Sequence, residues 1–510
     1  MSDQYLLALD AGTGAGRCVL VRQDGKKVYS TYQEWGYIPL SEAGSMGLSF
    51  DPDQFWEIFG NLSQQAIKNA GIKAEQIIGV SSTSMREGCV FFDESGKEIY
   101  AGPNRDFRGA VEGMRVSSSH GAEMYRRSGH HPNGIFMPER LLWHRKNAPD
   151  VYEKIAHVLM INDWILYRLC GEYACEPSNA SETLLYDLHT GEWAKDIIDA
   201  LEFPLEAFPP ILPAGSQLGE VTKGAAAACG LKPGTPVFIG GADTQCGVLG
   251  SGAFKQGDTV AVSGTSTPVQ MITDKPIIDE QERLWAGAHV NPGQFVLESN
   301  AGGTGSIYQW YRDAFCQGEI ARAEKEGKSA YDLMNVGAEQ SPPGSGGMQS
   351  FMGVNIFNSK KLGMPKNVIN TSTAPFYYPG AASKGLVTRA ILESLAFAIK
   401  ANTDQIVEVS GIQPDVLYVC SGSTKSKLYL EIVSNVMALP LLVPQKTEAT
   451  AIGAAICAGV GAGAYKSFEE GVSALVKLDQ VEPTDELSKK YRSFFRKWMR
   501  TRESLANTSL

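Results

Sequence analysis

The period of the hydrophobic pattern changes along the chain and predicts alternating strands and helices. Apolar runs of strand length occur at YLLALD and RCVLV, and IIGVSSTS is predicted as a buried strand. FDPDQFWEIFGNLSQQAIKNAG places Phe55, Ile58 and Leu62 at near-helical spacing, with an Asp at its start and a Gly at its end. A second helix is predicted at GLVTRAILESLAFAIKANTDQIVEV, followed by the strand VLYVC. This alternation predicts an α/β fold.

Two glycine-rich turns interrupt apolar strands in the same way. The first is DAGTG, residues 10–14, and the second is SGTST, residues 263–267. Backbone N–H groups and a Thr hydroxyl in such a turn can bind phosphate oxygens, and a carboxylate at the strand end can hold Mg²⁺. Either turn alone is also what an ordinary hairpin looks like. The occurrence of both in one chain favours two related domains that together bind a phosphate.

Three further motifs place polar side chains at predicted strand ends. Asp243 follows the apolar run VFIGG and can act as a general base toward a hydroxyl, or can cap the next helix. Arg86 and Glu87 follow a buried strand, where they can bind a polyol or form a structural salt bridge. In CSGSTKSKLYLEIVSN, the turn at Gly422 and Ser423 can lie against a purine or can serve helix packing alone. The residues by themselves leave these alternatives open.

Length, composition and charge narrow the classes of function. The chain has 510 residues, of which 43% are hydrophobic and 20% charged, as in a globular protein with more than one domain. Its net charge of -10 argues against nucleic acid and anionic membranes as partners. The N-terminus has no signal-peptide pattern and the nine cysteines form no CxxC pair, so we expect a cytoplasmic protein with reduced thiols. The Ala- and Gly-rich ATAIGAAICAGVGAGAY is shorter than a membrane span and predicts a tightly packed helix.

Taken in order, these motifs resemble those of the FGGY carbohydrate kinases, a family of the actin-like ATPase superfamily. MPERLLWHRKNAP resembles the first family signature, GGADTQ the segment of the catalytic Asp, and GAASKGLVTRAILESLAFAIK the second signature. The resemblance implies an α/β fold of two actin-like (ribonuclease H-like) domains with an interdomain cleft. It predicts an N-terminal FGGY domain over residues 1–249, a C-terminal nucleotide-binding domain over residues 250–480 and a helical tail over residues 481–510.

The resemblance also implies a reaction and roles for individual residues. ATP would donate its γ-phosphoryl group to a hydroxyl of a small sugar, polyol or dihydroxy-dione, with Mg²⁺ as cofactor. Asp243 would deprotonate the acceptor, and Asp10 would organise Mg²⁺ either directly or through water. The remaining assignments are substrate binding by Arg86, Glu87 and Thr244 beside Asp243, and nucleotide binding by Gly12, Thr13, Gly264, Thr265, Gly305, Gly422 and Ser423.

The identity of the acceptor stays open at this point. Arg86-Glu87 stands where xylulokinases typically carry Met-His, and Arg140 stands where the first signature usually has Lys. SMREG, GSMGLSFD and INDWILYRLCGEYACEPSNASETLLYDL look closer to autoinducer-2 kinases, which ranks a dihydroxy-dione before the pentulose of a xylulokinase. An Hsp70-like or actin-like ATPase and a sugar-binding sensor without kinase activity are the alternatives of another class.

Three expectations concern features outside these motifs. His130 and His131 have no Cys or carboxylate at ligand spacing and are predicted as loop or domain-contact residues rather than metal ligands. YRSFFRKWMRTRESL is predicted as a surface helix with an apolar stripe. The resemblance makes a homodimer a reasonable expectation.

Overall fold

The computed structural model describes residues 3–361, 367–371 and 381–506 of the chain. Gly380 of the predicted second signature and residues 507–510 of the predicted tail lie outside the described residues. The chain forms two compact units, each assembled from three segments of the sequence. Unit 1 comprises Met1–Gln256, Ile272–Leu297 and Glu448–Lys477, and unit 2 comprises Gly257–Met271, Glu298–Thr447 and Leu478–Leu510. The domain boundaries expected after residues 249 and 480 stay a prediction.

Strands and helices alternate along most of the described chain. The strands are β1 (Tyr5–Ala11), β2 (Ala15–Arg22), β3 (Val28–Glu34), β4 (Ile38–Pro39), β5 (Leu48–Ser49), β6 (Ile77–Ser84), β7 (Cys89–Phe92), β8 (Glu98–Gly102), β9 (His157–Met160), β10 (Tyr186–Asp187), β11 (Glu192–Trp193), β12 (Gln217–Glu220), β13 (Pro236–Phe238), β14 (Gly241–Ala242), β15 (Thr259–Val262), β16 (Pro268–Thr273), β17 (Trp285–Ala288), β18 (Phe295–Asn300), β19 (Gln349–Ser350), β20 (Ile369–Asn370), β21 (Leu417–Cys420), β22 (Leu441–Pro444) and β23 (Leu478–Val481).

The helices include the two that were predicted at FDPDQFWEIFGNLSQQAIKNAG and GLVTRAILESLAFAIKANTDQIVEV. They are α1 (Pro52–Ala70), α2 (Ala110–Ser128), α3 (Met137–Asn147), α4 (Pro149–Tyr152), α5 (Ile161–Cys170), α6 (Pro177–Ser181), α7 (Lys195–Ala200), α8 (Lys223–Cys229), α9 (Asp243–Gly250), α10 (Thr304–Phe315), α11 (Gln317–Glu326), α12 (Ala330–Glu339), α13 (Ala381–Ser410), α14 (Lys427–Met437), α15 (Ala449–Gly461), α16 (Phe468–Leu475) and α17 (Asp485–Ala506). Among the described residues, each helix is either too short or too polar to span a membrane.

A mixed sheet forms the centre of unit 1. Its strand order is β12-β13-β6-β1-β2-β3, and the short strand β14 also pairs with β6. β1 runs antiparallel to β2 and parallel to β6, so the predicted hairpin continues into a parallel pair. Every residue of β1 is buried, as expected for a central strand covered on both faces.

Neighbouring apolar residues of β1 belong alternately to two different hydrophobic cores. Leu7 and Leu9 belong to a cluster with residues of α1 and α5, whereas Leu6 and Ala8 belong to a cluster with residues of α9 and α15. This division follows from the two-residue period of side chains in a strand. α15 is the Ala- and Gly-rich stretch, and it packs closely enough that a Cβ on Gly453 would lie 2.0 Å from the carbonyl oxygen of Cys246. The predicted tightly packed helix is thereby confirmed.

Unit 2 repeats the hairpin-plus-parallel-strand pattern. β15 runs antiparallel to β16 and parallel to β21, and β21 runs parallel to β22. The helix α17 covers part of this unit through Trp498, whose Nε1 donates to the carbonyl of Ser350 at 3.1 Å. Trp498 is 1% exposed, so the apolar stripe predicted for the tail is a packing face.

Candidate active site

Three parallel strands of unit 1 end beside one another and supply its charged residues. β6 pairs in parallel with both β1 and β14, so Thr83 lies opposite Asp10 on one side and opposite Gly241 on the other. The chain continues from β6 to Arg86 and from β14 to Asp243. Because carboxyl ends of parallel strands meet at the same edge of a sheet, Asp10, Arg86 and Asp243 belong to one site.

Asp243 is the first residue of α9 and is only partly buried. Burial raises the pKa of Asp243 to about 6, Arg86 lowers it, and the charge of Asp10 raises it further. The Thr244 hydroxyl donates to Oδ1 of Asp243 at 3.0 Å, which leaves Oδ2 as the second acceptor. A partly exposed carboxylate with a pKa just below neutrality is ionised at pH 7 and can still accept a proton.

Asp10 is a buried carboxylate at the end of β1. Arg17 of β2 lies opposite it in the hairpin register, and Nη1 of Arg17 donates to Oδ2 of Asp10 at 3.2 Å. Burial raises the pKa of Asp10, and the charge and hydrogen bond of Arg17 lower it. Arg17 was not among the residues predicted from sequence, although an arginine that interrupts the apolar strand opposite Asp10 is a usable signal.

The first hairpin turn holds Thr13 between two polar side chains. Gly12 closes the turn with a hydrogen bond from its N–H to the carbonyl of Ala15 at 3.0 Å. The Thr13 carbonyl accepts from the hydroxyl of Tyr37, and its Oγ1 accepts from Nδ2 of Asn104 at 3.0 Å. The Thr13 hydroxyl therefore keeps its own hydrogen as a donor, which is what a phosphate oxygen requires.

Arg86 and Glu87 lie in the loop after β6, and the structure gives them different surroundings. Nη1 of Arg86 donates to Oε1 of Glu182 at 3.1 Å, and its guanidinium lies 5.5 Å from the ring centroid of Trp285. Glu87 has a left-handed backbone with φ 60°, which is uncommon for a residue with a side chain. Both residues are buried.

Arg140 holds the strained segment at Glu87 in place. It is fully buried in α3, and its guanidinium donates to the carbonyl oxygens of Glu87 at 2.9 Å and Pro103 at 2.8 Å. The planar fork of an arginine can bind two carbonyls at once, whereas an ammonium is a single point charge. Arg140, which stands where the first family signature usually has Lys, therefore binds two backbone carbonyl groups at once.

Unit 2 brings together five of the residues predicted to bind nucleotide, Gly264, Thr265, Gly305, Gly422 and Ser423, whereas Gly12 and Thr13 belong to unit 1. The turn with Gly264 joins β15 to β16, and the N–H of Ser306 in α10 donates to the carbonyl of Thr265 at 3.1 Å. A Cβ on Gly305 would lie 2.1 Å from the carbonyl oxygen of Gly264, so only glycine permits this approach of α10 to the turn. The turn also meets the segment after β21, where the N–H of Ser423 donates to the carbonyl of Ser263 at 3.3 Å.

The segment after β21 is a short 3-10 turn, Gly422–Lys425. Gly422 is exposed, and a Cβ built on it would meet nothing within 4 Å. The Ser423 hydroxyl oxygen is buried and has no hydrogen-bond partner in the described structure. A buried hydroxyl without a partner beside a glycine turn is suited to receive a ligand group.

The residues of unit 1 fit one mode of Mg²⁺ binding. Mg²⁺ commonly takes one or two carboxylates together with phosphate oxygens and water, rather than a cage of protein ligands. Within the described residues no group of three or more His, Cys, Asp or Glu side chains could hold a metal by itself. Asp10, whose charge raises the pKa of Asp243, matches the carboxylate part of such a site.

Sequence comparisons identify the family. The family model described as the N-terminal domain of the FGGY family of carbohydrate kinases matches residues 5–250, and the model of the C-terminal domain matches residues 259–462. The autoinducer-2 kinase of Escherichia coli (strain K12) is 35% identical over 98% of this chain and 94% of its own length. That of Salmonella paratyphi A is 36% identical with the same coverage. The chain belongs to the FGGY family of carbohydrate kinases.

Solved structures show the same fold as this FGGY kinase. The xylulose kinase of Lactobacillus acidophilus superposes with a TM-score of 0.85 at 18% identity, covering 99% of each chain. Plasmodium falciparum glycerol kinase with ADP gives a TM-score of 0.83 at 20% identity, covering 100% of this chain and 99% of the other. The predicted actin-like α/β fold and the predicted ATP-dependent phosphotransferase with an alcohol acceptor are confirmed. The ATPase and sensor alternatives are not supported.

Sequence reasoning missed the residues that surround Arg86 in this FGGY kinase. Glu182 and Trp285 were not singled out, and His130 was predicted only as a loop or domain-contact residue. His130 does lie in the loop after α2, but it is 1% exposed and its Nε2 is 3.2 Å from Oε2 of Glu182. The local sequence around His130, GHHPNG, contains no pattern that predicts a contact with Glu182.

Proposed function

We propose that Asp243 is the general base of this kinase and that its acceptor is a small dihydroxy-dione of the autoinducer-2 type. The observation that carries the first part is the convergence of Asp10, Arg86 and Asp243 at the ends of parallel strands. The second part is supported by the autoinducer-2 kinases, whose identity of 35% extends over 98% of the chain. The pentulose of a xylulokinase is the second candidate, supported by fold similarity alone.

The chemistry of transfer assigns one task to each residue. Oδ2 of Asp243 accepts the proton of the acceptor hydroxyl as the acceptor oxygen forms its bond to the γ-phosphorus of ATP. The bond from that phosphorus to the bridging oxygen breaks, and ADP leaves with the electron pair. Phosphoryl transfer depends mostly on positioning and on neutralising charge, so a single base with well-placed donors is chemically sufficient.

The remaining site residues position the two substrates. Arg86 and Glu87 bind oxygens of the acceptor through charge-assisted hydrogen bonds, and Thr244 orients the base. Asp10 would hold Mg²⁺ directly or through water, and the metal ion would neutralise phosphate charge. The nucleotide is held by backbone N–H groups and hydroxyls of the two glycine turns and by the turn after β21, that is by Gly12, Thr13, Gly264, Thr265, Gly305, Gly422 and Ser423.

The proposal extends to the setting in which the enzyme works. Nine cysteines without a disulfide among them are compatible with a reducing cytoplasm. The net charge of -10 gives no support for nucleic acid or anionic membranes as partners. A homodimer stays part of the proposal as a property expected from the family.

An acceptor panel tests the substrate class directly. ADP release is measured with ATP and Mg²⁺ against the autoinducer-2 precursor, xylulose, ribulose, glycerol, erythritol and gluconate. We expect the highest kcat/KM with the autoinducer-2 precursor and no acceptor-dependent release in Asp243→Asn. A pentulose whose kcat/KM exceeds that of the precursor tenfold or more would replace the proposed substrate. Acceptor-dependent ADP release by Asp243→Asn would overturn the proposed base.

A further inference from the structure

A buried triad of charges lies behind the acceptor-binding arginine in unit 1. Glu182 contacts two basic side chains at once, with Oε1 3.1 Å from Nη1 of Arg86 and Oε2 3.2 Å from Nε2 of His130. The side chains of Arg86, Glu182 and His130 are 9%, 1% and 1% exposed, respectively. Charges removed from water in this way are tolerated only when they are paired.

Trp285 packs against both Arg86 and His130. The guanidinium of Arg86 lies 5.5 Å from the Trp285 ring centroid, and the ring centroid of His130 lies 4.9 Å from it at an interplanar angle of 39°. A cation near the face of an indole is stabilised by the ring quadrupole. Glu182 and Trp285 thus restrain Arg86 from two directions.

Two acceptor groups flank the ring of His130. Nδ1 lies 2.9 Å from the carbonyl oxygen of Ser128, and a carbonyl only accepts, so Nδ1 carries a hydrogen. Nε2 faces a carboxylate, which also only accepts. The contact between Nε2 and Oε2 lies within ion-pair distance but forms no hydrogen bond in the described structure, so an imidazolium at this position would stabilise the Glu182 carboxylate through its charge.

The balance of charges favours an ionised Glu182. Burial raises its pKa, but the charges of Arg86 and His130 outweigh burial and hold the pKa of Glu182 below its ordinary value. With Arg86 alone, the carboxylate would lose one of the two cations that compensate for its burial.

The chain folds in a way that delivers His130 to this position. Gly129 ends α2 with φ 74° and approaches β17 so closely that a Cβ on it would lie 2.4 Å from the carbonyl oxygen of Ala286. The N–H of Ala286 donates to the carbonyl of Gly129 at 3.2 Å. Glycine at this place lets the end of α2 contact the strand that carries Trp285, so the next residue reaches Glu182.

We propose that His130 is a positioning residue for acceptor binding, which as an imidazolium keeps Glu182 ionised so that Glu182 fixes the orientation of Arg86. This inference rests on the proposed role of Arg86 in binding the acceptor. Loss of His130 therefore lowers the affinity for the acceptor and leaves the nucleotide, which is bound by other residues, unaffected.

Kinetics of His130→Gln test the proposal against a matched neighbour. We expect the KM for the acceptor to rise about tenfold or more, the usual effect of losing one charge-assisted contact, with little change in kcat or in the KM for ATP. His131→Gln is the control, because His131 stacks on Tyr125 at 4.7 Å and contacts Glu282 instead of Glu182. An unchanged acceptor KM in folded His130→Gln would overturn the proposal.

A double-mutant cycle separates positioning from general support of the fold. Glu182→Gln removes the carboxylate through which His130 acts, so adding His130→Gln should cause no further rise in the acceptor KM. If the two effects instead multiply, His130 does not act through Glu182 and the proposal fails. If His130→Gln does not fold, the Glu182→Gln variant alone tests the link to Arg86. An unchanged acceptor KM in Glu182→Gln would show that Glu182 does not orient Arg86, and the proposal would fail.

The ring of His130 gives a readout that does not depend on activity. Nitrogen-15 spectra of histidine-labelled protein near neutral pH should show a doubly protonated ring for His130, assigned by its loss in His130→Gln. In Glu182→Gln we expect the ring to become singly protonated. A neutral ring in the wild-type protein would overturn the inference. Arg86→Gln distinguishes this failure from that of the proposed function, because an unchanged acceptor KM in Arg86→Gln would contradict the acceptor site itself.

Discussion

Asp243 is the residue whose ionisation should set the pH dependence of catalysis. A general base must be deprotonated to accept the hydroxyl proton, and burial raises the pKa of Asp243 to about 6. We therefore expect kcat/KM for the acceptor to be level near neutral pH and to fall about tenfold per pH unit below about pH 6. A pH profile measured with saturating ATP checks this, and an acid limb near pH 4 would show that the carboxylate is not perturbed in the free enzyme.

The same residue should lower the stability of the folded protein near neutral pH. The pKa of Asp243 is higher in the folded chain than in the unfolded chain, so the folded state binds more protons and the free energy of unfolding falls as pH rises through the window from about 4 to about 6. The free energy of unfolding of Asp243→Asn near pH 7 should then exceed that of the wild type by about 2–3 kcal/mol, the conversion of roughly two pKa units. Urea unfolding of both proteins at pH 7 and pH 5 measures it. An equal difference at both pH values would contradict the titration as its cause.

At the level of elements, the approach of α10 to the second glycine turn should be sensitive to one methyl group. A Cβ on Gly305 would lie 2.1 Å from the carbonyl oxygen of Gly264, so Gly305→Ala must displace α10 or the turn. We expect a loss of about 1–3 kcal/mol in stability, typical of overpacking, together with a raised KM for ATP. Thermal unfolding and ATP titration of the kinetics measure the two effects.

Gly303→Ala is the matched control for this substitution. It lies two residues earlier in the same segment, has an ordinary φ of -79°, and a Cβ on it would meet only Ser306 at 4.0 Å. We expect the KM for ATP to be close to that of the wild type in Gly303→Ala. Equal effects of both alanines would show that flexibility of the segment, rather than the close approach at Gly305, is what matters.

The elements were predictable from sequence to a greater degree than the contacts between them. The strand YLLALD, the helix that ends at Gly71 and the strand IIGVSSTS follow from apolar period and from caps, which are local properties. The pairing of Arg86 with Glu182 joins residues 96 positions apart, and no local pattern records it. Glycine and Thr in the turns were readable because turn chemistry is local, whereas Glu182 stands at the end of a five-residue helix that has no marked pattern.

At the scale of the whole molecule, the sequence pattern does not reveal which segments of the chain make up unit 1. Its third segment, Glu448–Lys477, supplies α15, which covers one face of the central sheet of unit 1. Ile452 and Ile456 of α15 join the cluster that contains Leu6 and Ala8 of β1. The hydrophobic period identifies α15 as a buried helix, but it cannot say which sheet the helix covers when β1, at the centre of that sheet, lies more than four hundred residues away.

The fragment 1–249, which spans the predicted N-terminal domain, should therefore fail to unfold cooperatively. Without α15 it would expose one apolar face of β1, whose seven residues are all buried in the full chain, and exposed apolar surface of that kind promotes aggregation. Circular dichroism and urea unfolding of the fragment test this. The full-length variant Ile456→Ala measures how much the packing of α15 contributes to stability. Ile456 is 0% exposed, so its truncation should lower the free energy of unfolding by about 2–5 kcal/mol. A fragment with a cooperative transition at the same urea concentration as the full chain, together with a neutral Ile456→Ala, would mean that the sheet of unit 1 is stable without its C-terminal helix.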